Sequence, residues 1–314
     1  MALYKLSSNH MPNPWGYEDW LLSCHPSAPS KVISPNNSSA TPLFDKLKEE
    51  NLYSGPEKFP LLVKILKADD KLSVQVHPDD KYIRSLHANS SKDKEHYGKS
   101  ESWFILDAKE GSTIIWGWKK SISPEDFEKK AKEKTLEENL RTIPVKKGDF
   151  IYVPAGTVHA IGGGIKLLEI QQSSDTTYRI FDYERNRELH IDHAKSVSNL
   201  TDSPPMMFKD FQHSFCCPSF TVQKLTLNEN EQHKIWSLKE NNWLMIFAIN
   251  EPITITEKEG KGEKLTLKKE EAALITKSAD LTWNEALYLV ERCKETKENG
   301  KSNNGKADYI LSSQ

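Results

Sequence analysis

A mainly β protein, organised as two β units with short helices inserted in and packed on the first, is the fold class that three observations predict. Segments of strand length alternate polar and apolar residues or run apolar throughout. Gly, Pro, Asn and Asp clusters separate them. After about residue 200 such segments recur at regular intervals with little helical periodicity between them. The 314 residues, 37% apolar and 28% charged, suit about two domains. The expected division is 1–200, carrying the chemistry, and 201–314, a smaller β unit with a loose tail rich in Lys, Glu, Asn, Gly and Ser.

Charge narrows the function classes. Forty-three Lys and Arg stand against 45 Asp and Glu, a net charge of -2, so no global field favours nucleic acid or an anionic membrane. Cys24, Cys216, Cys217 and Cys293 are too few and too irregularly spaced for a disulfide framework. No apolar run reaches membrane-spanning length, and no signal-peptide pattern opens the chain. The expectation is a soluble cytoplasmic protein that works as a monomer on a small molecule.

Taken in order, residues 1–40 are rich in Pro, Ser and Asn, with a short extended piece at 20–22 and aromatics, Trp15, Tyr17 and Trp20, expected to pack on the body. Thr41 and Pro42 make a helix start for LFDKLKEEN, with Leu43, Phe44 and Leu47 as its apolar stripe. That helix is the first candidate to cover an apolar sheet face. FPLLVKIL, 59–66, is a near-continuous apolar run that fits a buried strand.

The strand at 71–77, KLSVQVH, is patterned the other way. Leu72, Val74 and Val76 take one side, Ser73, Gln75 and His77 the other. If Gln75 and His77 point into a closed space, another part of the chain must cover the apolar trio. Pro78 then ends the strand, and DDKYIRSLHAN reads as a short helix or loop. WFILDAKEGSTIIWGW from Ser102 reads as two strands turning at 109–111. Residues 123–141 are expected to form two short helices, one capped by Ser123 and one by a Thr135/Glu138 capping box, both lying over a sheet. Strands are expected at 149–153 and 165–171, with a short one bearing His159. In the second unit they are expected at 220–227, 243–250, 253–257, 265–267, 272–275 and 287–290.

Gly148, Pro154, Gly156 and His159 stand as G-x5-P-x-G-x2-H, which resembles the second motif of the cupin superfamily. With SVQVHPDD, GKSESWFILD, PAGTVHAIG, QQSSDTTYRIFDY and the N-terminal PWGYEDWLLSCHPSAPS, residues 12–193 resemble the type I mannose-6-phosphate isomerases in their short bacterial form. The resemblance implies two cupin, or jelly-roll, barrels, the second without metal. It also implies Gln75, His77, Glu101 and His159 as ligands of one zinc ion per chain, and Arg179 in the active site. Those residue types suit zinc, which accepts imidazole nitrogen and carboxylate or carbonyl oxygen. As single residues, His77 and His159 are equally well read as hydrogen-bonded interior histidines.

The implied reaction interconverts mannose 6-phosphate and fructose 6-phosphate through a cis-enediol. Arg179 would steady phosphate or developing oxyanion charge. Lys99, two residues before Glu101 and on the same strand face, would reach the same cavity and serve as the base, with a metal-activated water or a carboxylate as competitors. Asp175 and Thr177 would shape the sugar pocket beside Thr176. Two other readings stand beside this one: a cupin non-haem iron oxygenase, since two His and a carboxylate suit iron as well, and a cupin that binds a sugar phosphate without turning it over.

Overall fold

The computed structural model describes residues 3–33, 40–49, 59–87, 97–212, 214–225, 234–236, 243–257, 262, 264–276, 279–282 and 287–292. The chain is mainly β, in antiparallel sheets, and divides into two compact units. One comprises residues 9–28 and 57–211. The other comprises 1–8, 29–56 and 212–314.

The first of these holds two sheets. A seven-stranded sheet runs in the order Met206–Phe208, Phe150–Val153, Glu101–Ala108, Ile165–Gln172, Leu61–Ala68, Gly16–Leu22, Asn9–Asn13. A five-stranded sheet runs Leu140–Pro144, Thr113–Trp118, His159–Ile161, Val74–Val76, Tyr178–Phe181. Trp103, Ile105, Ile151 and Leu167 from the first meet Ile114, Trp116 and Ile161 from the second in one buried cluster. Trp15 joins it, and Trp20 packs in a smaller one, as expected of large rings.

The other face of the five-stranded sheet carries the inverted pattern. Val74 and Val76 lie fully buried against Trp118, Phe127, Ala131, Leu136 and Ala194. Their cover is therefore the helices Pro124–Lys132 and Ile191–Val197 and the short 3-10 turn Leu136–Asn139. The helix Leu43–Glu49 belongs to the other unit and does not supply it. Leu72 also departs from expectation. The strand begins only at Val74, so Leu72 turns into the interior cluster rather than lying beside Val74.

The Ser123 cap forms, its Oγ accepting from the Asp126 amide at 3.1 Å. The second expected helix is only the 3-10 turn, with no side-chain cap at Thr135, and Leu140 and Arg141 already belong to a strand. The β-branched Thr142 and Ile143 that follow favour extended backbone and pairing with Thr113–Trp118.

In the second unit an eight-stranded sheet runs Ser214–Cys216, Phe220–Leu225, Leu287–Arg292, Leu244–Ala248, Ala272–Ile275, Leu3–Leu6, Lys31–Ile33, Thr41–Pro42. A four-stranded sheet runs Lys234–Trp236, Ala279–Thr282, Ile253–Glu257, Lys264–Leu267. All six strands expected there form, within their described residues. The N-terminal strand pairs with Ala272–Ile275, Leu3 opposite Ile275 and Lys5 opposite Ala273. This pairing places residues 3–6 with the C-terminal part of the chain, where sequence order alone would assign them to 1–200. Among the described residues no helix is long and apolar enough to cross a membrane, and Cys24, Cys216 and Cys217 form no disulfide.

Candidate metal and active site

The site begins with register. His159 lies directly opposite Gln75, and Gln75 directly opposite Arg179, so three residues from three adjacent strands form one row across the five-stranded sheet. Directly paired residues share a face. With Val74 and Val76 on the helix-covered side, the row faces the sandwich interior. His77 follows on the same chain just past the strand, where Pro78 prevents further pairing.

From the seven-stranded sheet comes Glu101, the first residue of its strand. Its Oε1 lies 3.1 Å from His77 Nε2, and its Oε2 lies 3.7 Å from His159 Nε2. One ligand atom from each of His77, Glu101 and His159 falls within 4.8 Å of the others, and all three residues are buried. Each imidazole is anchored through its other nitrogen: His77 Nδ1 is 2.8 Å from the Thr176 carbonyl and His159 Nδ1 2.8 Å from the Thr157 carbonyl. Those bonds leave both Nε2 atoms as acceptors aimed at a common point. The Gln75 carboxamide sits 3.5 Å from His77 Nε2 and 3.4 Å from His159 Nε2. A half-turn of that amide exchanges its nitrogen for its oxygen, so it offers a carbonyl donor to the same point. Two imidazoles, a carboxylate and a carboxamide oxygen fit a first-row divalent ion with room for a further ligand.

Lys99 completes the group. Its Nζ is 2.5 Å from Glu101 Oε1 and 3.1 Å from His77 Nε2. The segment carrying it is clamped: the Lys99 amide donates to the Pro78 carbonyl, the Gly98 amide to Asp80 Oδ1 at 2.6 Å, and Gln172 joins Asp80 to the Ser100 amide. At Gly98 a Cβ would come within 2.5 Å of the Asp79 backbone, so only glycine fits there. Gly156, at φ +86°, makes the corner before His159 and donates its amide to the His77 carbonyl at 2.8 Å, tying the two histidine segments together.

Charge follows burial. Desolvation, with the Lys99 ammonium adding to it, pushes His77 down to about 3. Burial lowers His159 as well. Burial would raise the Glu101 carboxyl, but the Lys99 ammonium beside it outweighs burial and holds that carboxyl well below the usual range. The site therefore presents two neutral imidazoles and an ionised carboxylate, the protonation states a metal requires.

Arg179 is half-buried. Its Nη1 donates to the Glu188 carbonyl at 2.8 Å, and its Nε is buried with no hydrogen-bond partner. Asp175 and Thr177 lie in the loop before the Arg179 strand, Asp175 exposed and Thr177 half-buried. The residue there that touches a site histidine is Thr176, through its backbone carbonyl.

Sequence reasoning missed a second tier beneath the ligands. Lys64 Nζ lies 2.9 Å from Glu169 Oε2 and 3.2 Å from Glu18 Oε1. Trp103 Nε1 donates to Glu101 Oε2 at 3.1 Å and to Glu169 Oε1 at 3.3 Å. Burial, then the Glu101 charge, pushes Glu169 up to about 7. The available signal was Lys64 itself, the single charge inside FPLLVKIL, since a buried lysine needs a counter-ion.

Part of the chain is similar in sequence to known proteins, and its fold is similar to solved structures. The family model for the catalytic domain of type I phosphomannose isomerase matches residues 3–108. A mannose-6-phosphate isomerase of Streptococcus mutans is 41% identical over 204 residues, 62% of this chain and 61% of that protein. Mannose-6-phosphate isomerase ManA of Bacillus subtilis is 45% identical over 154 residues, 47% of each chain. This chain thus spans less than two thirds of the length of these relatives. The crystal structure of a mannose 6-phosphate isomerase from Bacillus subtilis matches with a TM-score of 0.76 at 25% identity, over 92% of this chain and 99% of that one. A zinc-bound mannose 6-phosphate isomerase matches with a TM-score of 0.72 at 15% identity, over 94% and 100%, a likeness of fold.

Proposed function

We propose, with the similarity to type I phosphomannose isomerases as premise, that this chain interconverts mannose 6-phosphate and fructose 6-phosphate at the His77–Glu101–His159 site. The observation that carries the reading is the convergence of three donor atoms, from both sheets of one sandwich, within 4.8 Å of one another and beside Lys99. Gln75, His77, Glu101 and His159 would hold one zinc ion, in keeping with the donor set and with the zinc-bound isomerase of like fold. When bound, that ion supplies Lewis-acid polarisation of the sugar's carbonyl and hydroxyl oxygens.

The chain's own residues do the rest. Lys99 Nζ first gives up to solvent the proton that pairs it with Glu101 in the resting site. It then takes the proton from C2 of the open-chain aldose and, as the ammonium so formed, returns it to C1 of the resulting cis-enediol to give the ketose. It is the basic group nearest the ligand atoms. Arg179, in the same row as Gln75, sets a permanent positive charge toward the phosphate or the enediolate oxygens. Asp175 and Thr177 line the sugar pocket from the loop whose Thr176 carbonyl anchors His77. The unit of residues 9–28 and 57–211 is the catalytic cupin domain. The other unit is its metal-free cupin-like counterpart.

The test is conversion of mannose 6-phosphate by purified protein before chelation, after chelation and after zinc restoration, with Arg179→Ala alongside. The expected result is metal-dependent turnover that falls about a hundredfold or more in the variant. Tight metal binding without conversion would overturn the reading, and iron-dependent oxygen uptake in its place would make the chain an oxygenase.

A further inference from the structure

Glu101 has two oxygens and two sets of neighbours. Oε1 faces His77 Nε2 and Lys99 Nζ, while Oε2 accepts from the Trp103 indole. Trp103 is completely buried and sits two residues beyond Glu101, on the same face of the same strand. Its ring also stands edge-on to the His159 imidazole, with centroids 5.4 Å apart. One residue thus touches two of the three donors.

Trp103 is itself held in place. Across the seven-stranded sheet Glu169 lies directly opposite Trp103, and Lys64 directly opposite Glu169. The row ends in the Lys64 ammonium between Glu169 and Glu18, with Glu18 fixed in turn by the Trp20 indole at 2.7 Å. Two buried carboxylates, Glu101 and Glu169, share one indole proton, and Lys64 supplies the countercharge that makes their proximity tolerable. Apart from Glu101, none of these side chains belongs to the group of donors that converges on the site.

Resting on the reading of Glu101 as a metal ligand, we propose that Trp103 is a positioning residue, whose indole N–H pins Glu101 Oε2 so that Oε1 is presented to the metal. The Lys64–Glu169–Glu18 row holds the indole in turn. A ligating carboxylate with both oxygens free rotates among several geometries, and a donor fixed on one oxygen removes that freedom. Phenylalanine at this position keeps most of the ring surface and loses only the donor.

The experiment is zinc affinity, measured on chelator-stripped full-length protein by competition with a chromophoric chelator, for wild type, Trp103→Phe and Phe104→Leu. Phe104 is buried on the opposite face of the same strand and controls for general loosening. Trp103→Phe is expected to bind zinc about ten- to a hundredfold more weakly, and Phe104→Leu to bind as wild type does. Equal weakening in both variants, or none in Trp103→Phe, overturns the proposal. Absence of zinc binding in wild type overturns the metal reading beneath it, a separate outcome. The wild-type protein gives a second readout that requires no variant to fold. On zinc titration the Trp103 indole N–H resonance should shift while that of Trp118, bonded to the Asn199 carbonyl, stays in place. An unmoved Trp103 resonance also overturns the proposal.

Discussion

The two units are built alike, each from a large and a small antiparallel sheet, yet their interiors differ in kind. In the unit of the C-terminal strands, the buried cluster is made of Leu3, Leu244, Ile246, Ile253, Ile255, Leu267 and similar residues. Among the described residues it holds no group of His, Cys, Asp and Glu able to bind a metal. In the site-bearing unit the apolar cluster around Ile105, Leu167 and Ile161 gives way within the same sandwich to Gln75, His77, Lys99, Glu101, His159, Lys64 and Glu169. What differs is the residue type at inward strand positions, and each inward charge there has a partner. The apolar interior is held by area removed from water. The polar one needs its partners in place before burial is tolerable.

The largest test of this contrast is His159→Ala, expected to weaken zinc binding by more than about a hundredfold, beyond the loss of an outer partner, as read by equilibrium dialysis. Unchanged affinity would put the metal elsewhere and erase the distinction between the interiors.

Acid comes next. In chelated protein His77 is held down to about 3, His159 is lowered, and Glu101 is held well below 4.5, while Glu169 is pushed up to about 7. Stability rises with pH wherever the unfolded chain binds more protons than the native one. Between pH 6.5 and 4.5 the unfolded histidines take up protons the native ones refuse, while native Glu169 keeps one its unfolded form releases, and the slopes oppose each other. Below 4.5 Glu169 is protonated in both states, and the histidines and Glu101 act together. Two histidines against one glutamate leave a net excess of protons on the unfolded chain, so the urea midpoint is expected to fall gently from pH 6.5 to 4.5 and steeply below. A Glu101→Gln variant that falls just as steeply would remove the site as the cause.

The smallest effect is expected in the apolar interior. Ile255→Val is expected to destabilise by about 0.5–1.5 kcal/mol in urea denaturation and to leave zinc affinity unchanged. A change in affinity would mean that the apolar core, too, helps to set the site.

From the residues alone, the alternation in KLSVQVH marked Gln75 and His77 as inward polar groups needing cover for their apolar neighbours, and the Pro-x-Gly corner before His159 marked a turn, while His159 itself was singled out by the resemblance of its spacing to a cupin motif. These are local signals, since strand period and turn chemistry are written in contiguous residues. Lys64 and Glu169 were not legible in that way. Each stands in an apolar run, and only the pairing of Leu61–Ala68 with Ile165–Gln172 sets one opposite the other. Arg179 opposite Gln75, Glu169 opposite Trp103, and residues 3–6 among the C-terminal strands have the same origin. The sequence by itself determined which residues alternate, where the chain turns and which side chains can bind a metal. Tertiary structure alone decided which of them meet, because partners across a sheet are chosen by register between distant segments, and no local period encodes it.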